Sequence, residues 1–222
     1  MPRRKRACIG GYVYHVLNRS VGKKQIFTDV GDYDAFEQVL HEATERVPVR
    51  LLSHCVMPNH WHLVLWPARG RDNDVSEFMQ WMTVTHTQRW HSFHGTSGTG
   101  PLYQGRFKSF PVQGDHHFLT VCRYVERNAL RACLVERAQD WRWCSLWHRD
   151  QASSILKFSN WPVPCPRHWK QLVNTPQNEA ELNAVRRSVN RGCPFGDDTW
   201  VAKTAERLDL EPTLRPRGRP RK

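Results

Sequence analysis

The 222-residue chain has no run of about 18 apolar residues, so no membrane-spanning helix is expected from it. Its basic opening, Met-Pro-Arg-Arg-Lys-Arg, is followed by no apolar h-region, and a secretory signal is not expected either. Seven cysteines (Cys8, Cys55, Cys122, Cys133, Cys144, Cys165, Cys193) contain no C-x-x-C pair and are odd in number. That argues against a disulfide framework or a structural zinc site and for a reducing, cytoplasmic setting. No P-loop is present, which leaves no obvious nucleotide-driven motor, and no internal repeat or RRM-type aromatic strand motif is visible.

Acidic residues are scarce: 21 Asp and Glu face 33 Lys and Arg, a formal charge of +12. Arg3, Arg4, Lys5 and Arg6 carry four of these charges, and Arg215, Arg217, Arg219, Arg221 and Lys222 carry five, so nine of the twelve lie on short terminal segments. Such ends cannot form a core. A polyanion is their natural partner, and binding through them should weaken steeply with salt. The chain length suits one domain with appendages, burying roughly 70% of its unfolded surface. The expected division is a basic arm (1–8), a main domain (9–150), a C-terminal extension with small helices (151–211) and a basic tail (212–222).

Hydrophobic periodicity orders the elements as β-α-β-β-α-β-α. Strands are expected over Tyr12–Arg19, Val49–Met57, His60–Trp66 and Phe107–Val112. A helix with Thr28, Asp29, Asp32 and Asp34 at its start runs to about Glu45, a longer one runs from Val75 to about Phe93, and a third is capped by Asp115. Helix is expected again from Asn128 to about Gln139, over Glu179–Asn190 and over Thr199–Leu208. The short Pro58-Asn59 connection makes the second and third strands a hairpin. The fold class is therefore α+β, an antiparallel ferredoxin-like or RRM-like sheet with helices packed on it.

Two clusters carry chemistry. In Pro58-Asn59-His60-Trp61-His62 the strand period of two puts His60 and His62 on one face and Trp61 on the other. Two such imidazoles either chelate a divalent cation in an open site or lie half-exposed on a sheet; spacing alone does not decide. In Arg123-Tyr124-Val125-Glu126-Arg127-Asn128, Tyr124 and Asn128 share a helix face at i, i+4, and the Asn128 carbonyl oxygen could complete a ligand set. Arg123 and Arg127 could hold phosphate. A tyrosine taken by itself is more often a packed core residue. His86, His91, His94, His116 and His117 are expected as surface or packing histidines.

Together the clusters resemble the HUH nucleases: His60-Trp61-His62 is similar to their H-hydrophobic-H signature, and Phe118-Leu119-x-x-Cys122-Arg123-Tyr124-Val125-Glu126-x-Asn128 to the nucleophile helix of their single-tyrosine branch. The fuller resemblance, over nearly the whole chain, is to REP-associated tyrosine transposases, relatives of single-tyrosine insertion-sequence transposases. Tyr14-His15-Val16-Leu17-Asn18-Arg19, Leu102-Tyr103-Gln104-Gly105-Arg106-Phe107-Lys108-Ser109 and the closing Arg-Pro-Arg-Gly-Arg-Pro-Arg-Lys all look like that family. Two positions differ from many relatives: Asn128 stands where glutamine is common, which keeps an amide oxygen while retuning the metal, and Ala129 stands where proline is common.

The resemblance implies an HUH nuclease fold in which His60, His62 and Asn128 hold Mg²⁺ or Mn²⁺ and Tyr124 is the nucleophile. It implies cleavage and rejoining of single-stranded DNA at REP-like hairpins through a 5′-phosphotyrosine link. DNA contacts are expected from Arg3, Arg4, Lys5, Arg6, Asn18, Arg19, Gln104, Arg106, Lys108, Arg123 and Arg127, and from Arg217 and Arg219 in an AT-hook-like Arg-Gly-Arg-Pro segment. A nucleoid-associated monomer is expected, with a dimer as the alternative. Competing readings are an HUH replication initiator or relaxase, a hairpin-binding module that no longer cuts, and an RNA-binding sheet.

Overall fold

The computed structural model describes residues 8–151 and 153–215. The terminal calls Arg3, Arg4, Lys5, Arg6, Arg217 and Arg219 lie outside the described residues. Four strands, β1 (Val13–Arg19), β2 (Val49–Met57), β3 (His60–Pro67) and β4 (Lys108–Val112), form one sheet in the order β2-β3-β1-β4. Every neighbouring pair is antiparallel. This is the α+β sheet expected from the sequence, with strand limits within a residue of those read from periodicity.

Helices α1 (Val30–Arg46) and α2 (Asp74–Phe93) cover one face, and α3 (His116–Glu126) covers the other. The start of α1 is fixed by Asp29, whose side chain accepts from the Asp32 amide at 3.1 Å. Asp115 does the same for α3, accepting from His117 at 2.8 Å. With both faces covered, the central strand β1 is buried along nearly its whole length. Tyr14 and Val16 join the core under α1 and α2, whereas Val13 joins the core under α3. Among the described residues no helix is long and apolar enough to cross a membrane.

Past α3 the structure departs from the sequence expectation. The helix opening at Asn128 is a single turn, α4 (Asn128–Arg131), and does not continue to Gln139. Cys133 adopts φ +56°, a left-handed conformation that ends the turn, and the Leu134 amide closes back on the Ala129 carbonyl at 3.0 Å. Two short helices that periodicity missed follow, α5 (Ser145–His148) and α6 (Trp169–Asn174). They are too short to show a period. The helices expected near 179–190 and 199–208 are present as α7 (Glu179–Arg191) and α8 (Asp198–Arg207), and α9 (Glu211–Leu214) ends the described chain. Phe195 bridges Val112 and accepts from the Gln113 amide at 2.9 Å, so the extension shields the outer edge of β4.

A buried carboxylate ties the first layer together. Glu37 Oε1 on α1 lies 3.0 Å from His54 Nε2 on β2 and 2.9 Å from His148 Nε2 on α5. Burial alone would raise the Glu37 acid, but the hydrogen bonds from His148 and His54 outweigh it and hold it down to about 2. A depressed carboxyl stabilises the fold above the unfolded value near 4.5, and that contribution is lost as pH falls towards 2. Glu37→Gln is expected to cost about 3 kcal/mol at pH 7 and to remove much of the acid-induced loss of stability between pH 5 and 2. Denaturant unfolding at several pH values measures both; an unchanged pH profile would contradict the assignment.

Candidate active site

The alternation of β3 does what the sequence implied. Trp61, Leu63 and Leu65 enter the core under α1 and α2, and Val64 enters the opposite one. Trp61 Nε1 donates to Tyr103 Oη at 3.0 Å, which lies 2.8 Å from His86 Nδ1, so the strand is pinned from its far side. His60 and His62 stand on the α3 side with ring centroids 5.1 Å apart. The neighbouring strand contributes His15, whose Nε2 lies 2.9 Å from His62 Nδ1. Tyr124 on α3 meets this cluster edge-on, its ring 5.8 Å from His62 and 6.3 Å from His15.

The position of α3 is set by Glu126, two residues beyond Tyr124 and fully buried. Its Oε1 accepts from Ser53 Oγ at 3.0 Å, Ser145 Oγ at 2.7 Å and Arg149 Nη1 at 2.5 Å. Its Oε2 accepts from Trp169 Nε1 at 2.7 Å. One carboxylate thus joins α3 to β2, α5 and α6, and leaves its charge fully paired. Arg149 responds in kind: burial would lower its guanidinium, and Glu126 raises it instead.

The hydrogen bonds also fix protonation. Asn59 Nδ2 donates to the Lys23 carbonyl at 3.1 Å, which turns Asn59 Oδ1 towards His60 Nδ1 at 2.6 Å. Nδ1 must therefore carry the proton, and His60 Nε2 keeps a lone pair. His62 can do the same by donating from Nδ1 to His15 Nε2. Burial, with help from Arg19 and Arg131, lowers His60 to about 3 and lowers His62 well below its ordinary value. Burial lowers His15 to about 3. At neutral pH the cluster is thus a set of uncharged imidazoles, the form that binds a metal.

Asn128 follows Tyr124 by one helical turn, as read from sequence, because the backbone stays right-handed through Arg127. Its Oδ1 accepts from Arg131 Nη2 at 2.8 Å. Arg131 itself lies over the Tyr124 ring, Cζ 4.2 Å from the centroid. In donor chemistry the unprotonated ring nitrogens of His60 and His62 suit a divalent cation, whereas one lone pair of the Asn128 oxygen is already engaged by Arg131.

The other expected DNA-contacting residues divide. Asn18, Arg19, Gln104, Arg106 and Lys108 line one cavity of about 550 Å³ that also contains Tyr124. Within it the Asn18 amide is occupied by the Gly105 carbonyl at 3.1 Å and the Arg19 amide at 2.9 Å. Arg123 and Arg127, expected to hold phosphate, turn elsewhere. Arg123 Nη2 donates to the Thr175 and Pro176 carbonyls at 2.7 and 3.0 Å, and Arg127 Nη1 donates to the carbonyls of Val173 and Asn174. The end of α6 leaves those carbonyls without helical donors, and cations satisfy them. Sequence reading missed His15, Arg131, Arg186 and Asn190. Arg186 and Asn190 line the Tyr124 cavity from α7. For His15 and Arg131 a signal existed: His15 is a polar residue inside an apolar strand, and Arg131 falls one turn after Asn128.

Two other groups bring three candidate ligand atoms within 4.8 Å: Glu37, His54 and His148, buried, and Asp115, His116 and His117 near the start of α3. In the first, the atoms already hydrogen-bond one another.

The sheet thus carries a histidine pair on β3 with the Tyr124 helix lying across it. A family model described as IS200-like transposase matches residues 8–128, and the chain belongs to that family. Among solved structures, a REP-associated tyrosine transposase bound to a REP hairpin is 18% identical, with a TM-score of 0.55 over 72% of this chain and 96% of that one. It shares the fold. A crystal structure described as a transposase from Deinococcus radiodurans is 19% identical with a TM-score of 0.41, over 56% of this chain and 96% of that one. No curated protein matches the chain.

The protonation pattern is directly measurable. The His60 ring is expected to remain neutral down to a midpoint of about 3 when followed by imidazole NMR shifts in the metal-free protein. A midpoint near the ordinary value of 6.5 would contradict the neutral cluster.

Proposed function

We propose that the chain is a metal-dependent single-stranded DNA endonuclease and strand transferase with Tyr124 as nucleophile, acting on REP-like hairpins. The observation that supports this best is the meeting of Tyr124 with His62 across the sheet, ring centroids 5.8 Å apart, beside a basic cavity. His60, His62 and Asn128 would hold Mg²⁺ or Mn²⁺, which when bound supplies charge neutralisation at the scissile phosphate. Two imidazole ligands favour Mn²⁺ in vitro, and abundance favours Mg²⁺ in the cell.

The remaining work falls to the chain. Attack by Tyr124 Oη forms the tyrosyl O–P bond as the P–O3′ bond breaks. The phenol gives its proton to solvent, and the leaving O3′ takes one up. The products are a 5′-phosphotyrosyl link and a free 3′-hydroxyl, which reverses the step in rejoining without ATP. Holding the phenol on a helix clamped through Glu126 lowers the entropic part of the barrier. Arg19, Gln104, Arg106 and Lys108, joined by Arg186 and Asn190, would hold the strand, with the arm Arg3 to Arg6 and the Arg217, Arg219 tail adding charge on flanking duplex. Because the extension supplies its cavity residues in cis, a monomer suffices. The division into arm, main domain, extension and tail then corresponds to DNA grip, chemistry, cavity wall and DNA grip. The setting is the cytoplasm, on nucleoid DNA.

Tyr124→Phe is expected to lower cleavage by at least ~10³-fold while leaving hairpin affinity within about twofold. His60→Ala is expected to lose the Mn²⁺-stimulated cutting. Full cleavage by Tyr124→Phe, read on a labelled hairpin oligonucleotide, would sink the nucleophile assignment. Neutralising Lys108 and Arg186 together is expected to lower affinity and flatten log K against log salt by about one to two units. An unchanged slope would place the strand elsewhere.

A further inference from the structure

Among the described residues, three donor groups beside Tyr124 have no anion to meet. Arg131 is half-buried, yet no carboxylate among the described residues pairs with it. Its contacts are Asn128 Oδ1 at 2.8 Å, the face of Tyr124, and the Tyr124 carbonyl at 3.4 Å. Arg19 Nε is buried without a hydrogen-bond partner, and so is Asn128 Nδ2. Buried donors left unpaired cost free energy, which an incoming acceptor would recover, and Arg19 and Tyr124 both line the cavity through which one could arrive. Both guanidinium groups act electrostatically on His60 and His62, which places them around the histidine pair. Burial, and to a lesser degree Arg186, disfavours the charge on Arg131 more than Tyr124 supports it, and a bound anion would offset that.

We propose that Arg131, with Arg19, is the seat of the scissile phosphodiester, and that Arg131 covers Asn128 Oδ1 until the phosphate draws it away. This rests on the reading of His60, His62 and Asn128 as the metal ligands. One oxygen then serves two cations in turn. With no DNA bound, the guanidinium of Arg131 holds Asn128 and lies over the nucleophile. A phosphodiester offers a better acceptor, a charged and bidentate one. As Arg131 moves to it, the Asn128 oxygen is released to complete the metal ligand set. Substrate and metal therefore reinforce each other, and the metal alone binds weakly. Arg131 lies beyond residues 8–128 matched by the family model, on the single turn α4 that Cys133 ends.

The test uses the full-length protein and opposes two readouts. Mn²⁺ affinity without DNA is measured by EPR titration of wild type, Arg131→Gln and Arg131→Lys. Cleavage of a labelled hairpin strand is measured at saturating Mn²⁺. Removing one nearby unit charge and freeing Asn128 is expected to tighten Mn²⁺ about tenfold in Arg131→Gln, while its cleavage falls at least about tenfold. Arg131→Lys, which keeps the charge, is expected between wild type and Arg131→Gln on both scales. A merely structural contact on Tyr124 would weaken metal binding and cleavage together. Wild type that binds Mn²⁺ with Arg131→Gln binding no tighter overturns the inference and leaves the metal reading standing. Absence of Mn²⁺ binding in all three, with cleavage retained in EDTA, overturns the metal reading and the exchange with it.

Discussion

The Glu126 carboxylate is the constraint on which the site depends. A buried charge is costly unless every lone pair is met, and here Ser53, Ser145, Arg149 and Trp169 meet it from three separate elements. Removing one partner of such a pair typically costs about 3–5 kcal/mol, because the other charge is left unmatched. The tie converts the packing of α3 on the sheet from an apolar contact that could slide into a fixed register. Tyr124, two residues away, inherits that register and meets His62 and His15 edge-on.

The sheet contributes the other half. Strand alternation sends Trp61 and Leu63 into one core and turns His60 and His62 to the other face, where His62 is buried and His60 half-buried beside the helix that carries the tyrosine. Burial in turn keeps them neutral, and the Asn59 bond leaves His60 Nε2 as a lone pair. Positive charge is supplied from outside this neutral cluster, by Arg19 and Arg131 near the histidines and by Lys108 and Arg186 along the cavity. The result is a neutral imidazole floor with cationic walls, the setting that the proposed attack on a phosphodiester requires.

Much of the fold was legible because long elements carry strong periods. The four strands and the helices over Val30–Arg46, Asp74–Phe93 and His116–Glu126 were read nearly to their ends, and Asp29 and Asp115 marked starts by capping. The stretch after Asn128 was misread as one helix because its apolar residues continue a helical spacing; the left-handed turn at Cys133, where a glycine would have given the signal, is invisible in composition. Periodicity put His60 and His62 on one strand face and Tyr124 and Asn128 on one helix face. It could not show that Arg123 and Arg127 cap the end of α6, since that segment lies some fifty residues away in the chain. Nor could it bring Arg186 and Asn190 into the cavity, because only tertiary packing puts α7 there.

A covalent protein–DNA adduct is the most direct test of Tyr124 as the nucleophile. The full-length protein is incubated with a single-stranded REP-like hairpin and Mn²⁺, digested, and analysed by mass spectrometry. The expected result is the 3′-side DNA fragment attached through its 5′-phosphate to the peptide containing Tyr124, with the upstream fragment released bearing a 3′-hydroxyl. Cleavage that leaves no protein–DNA adduct, or an adduct on another residue, would contradict it.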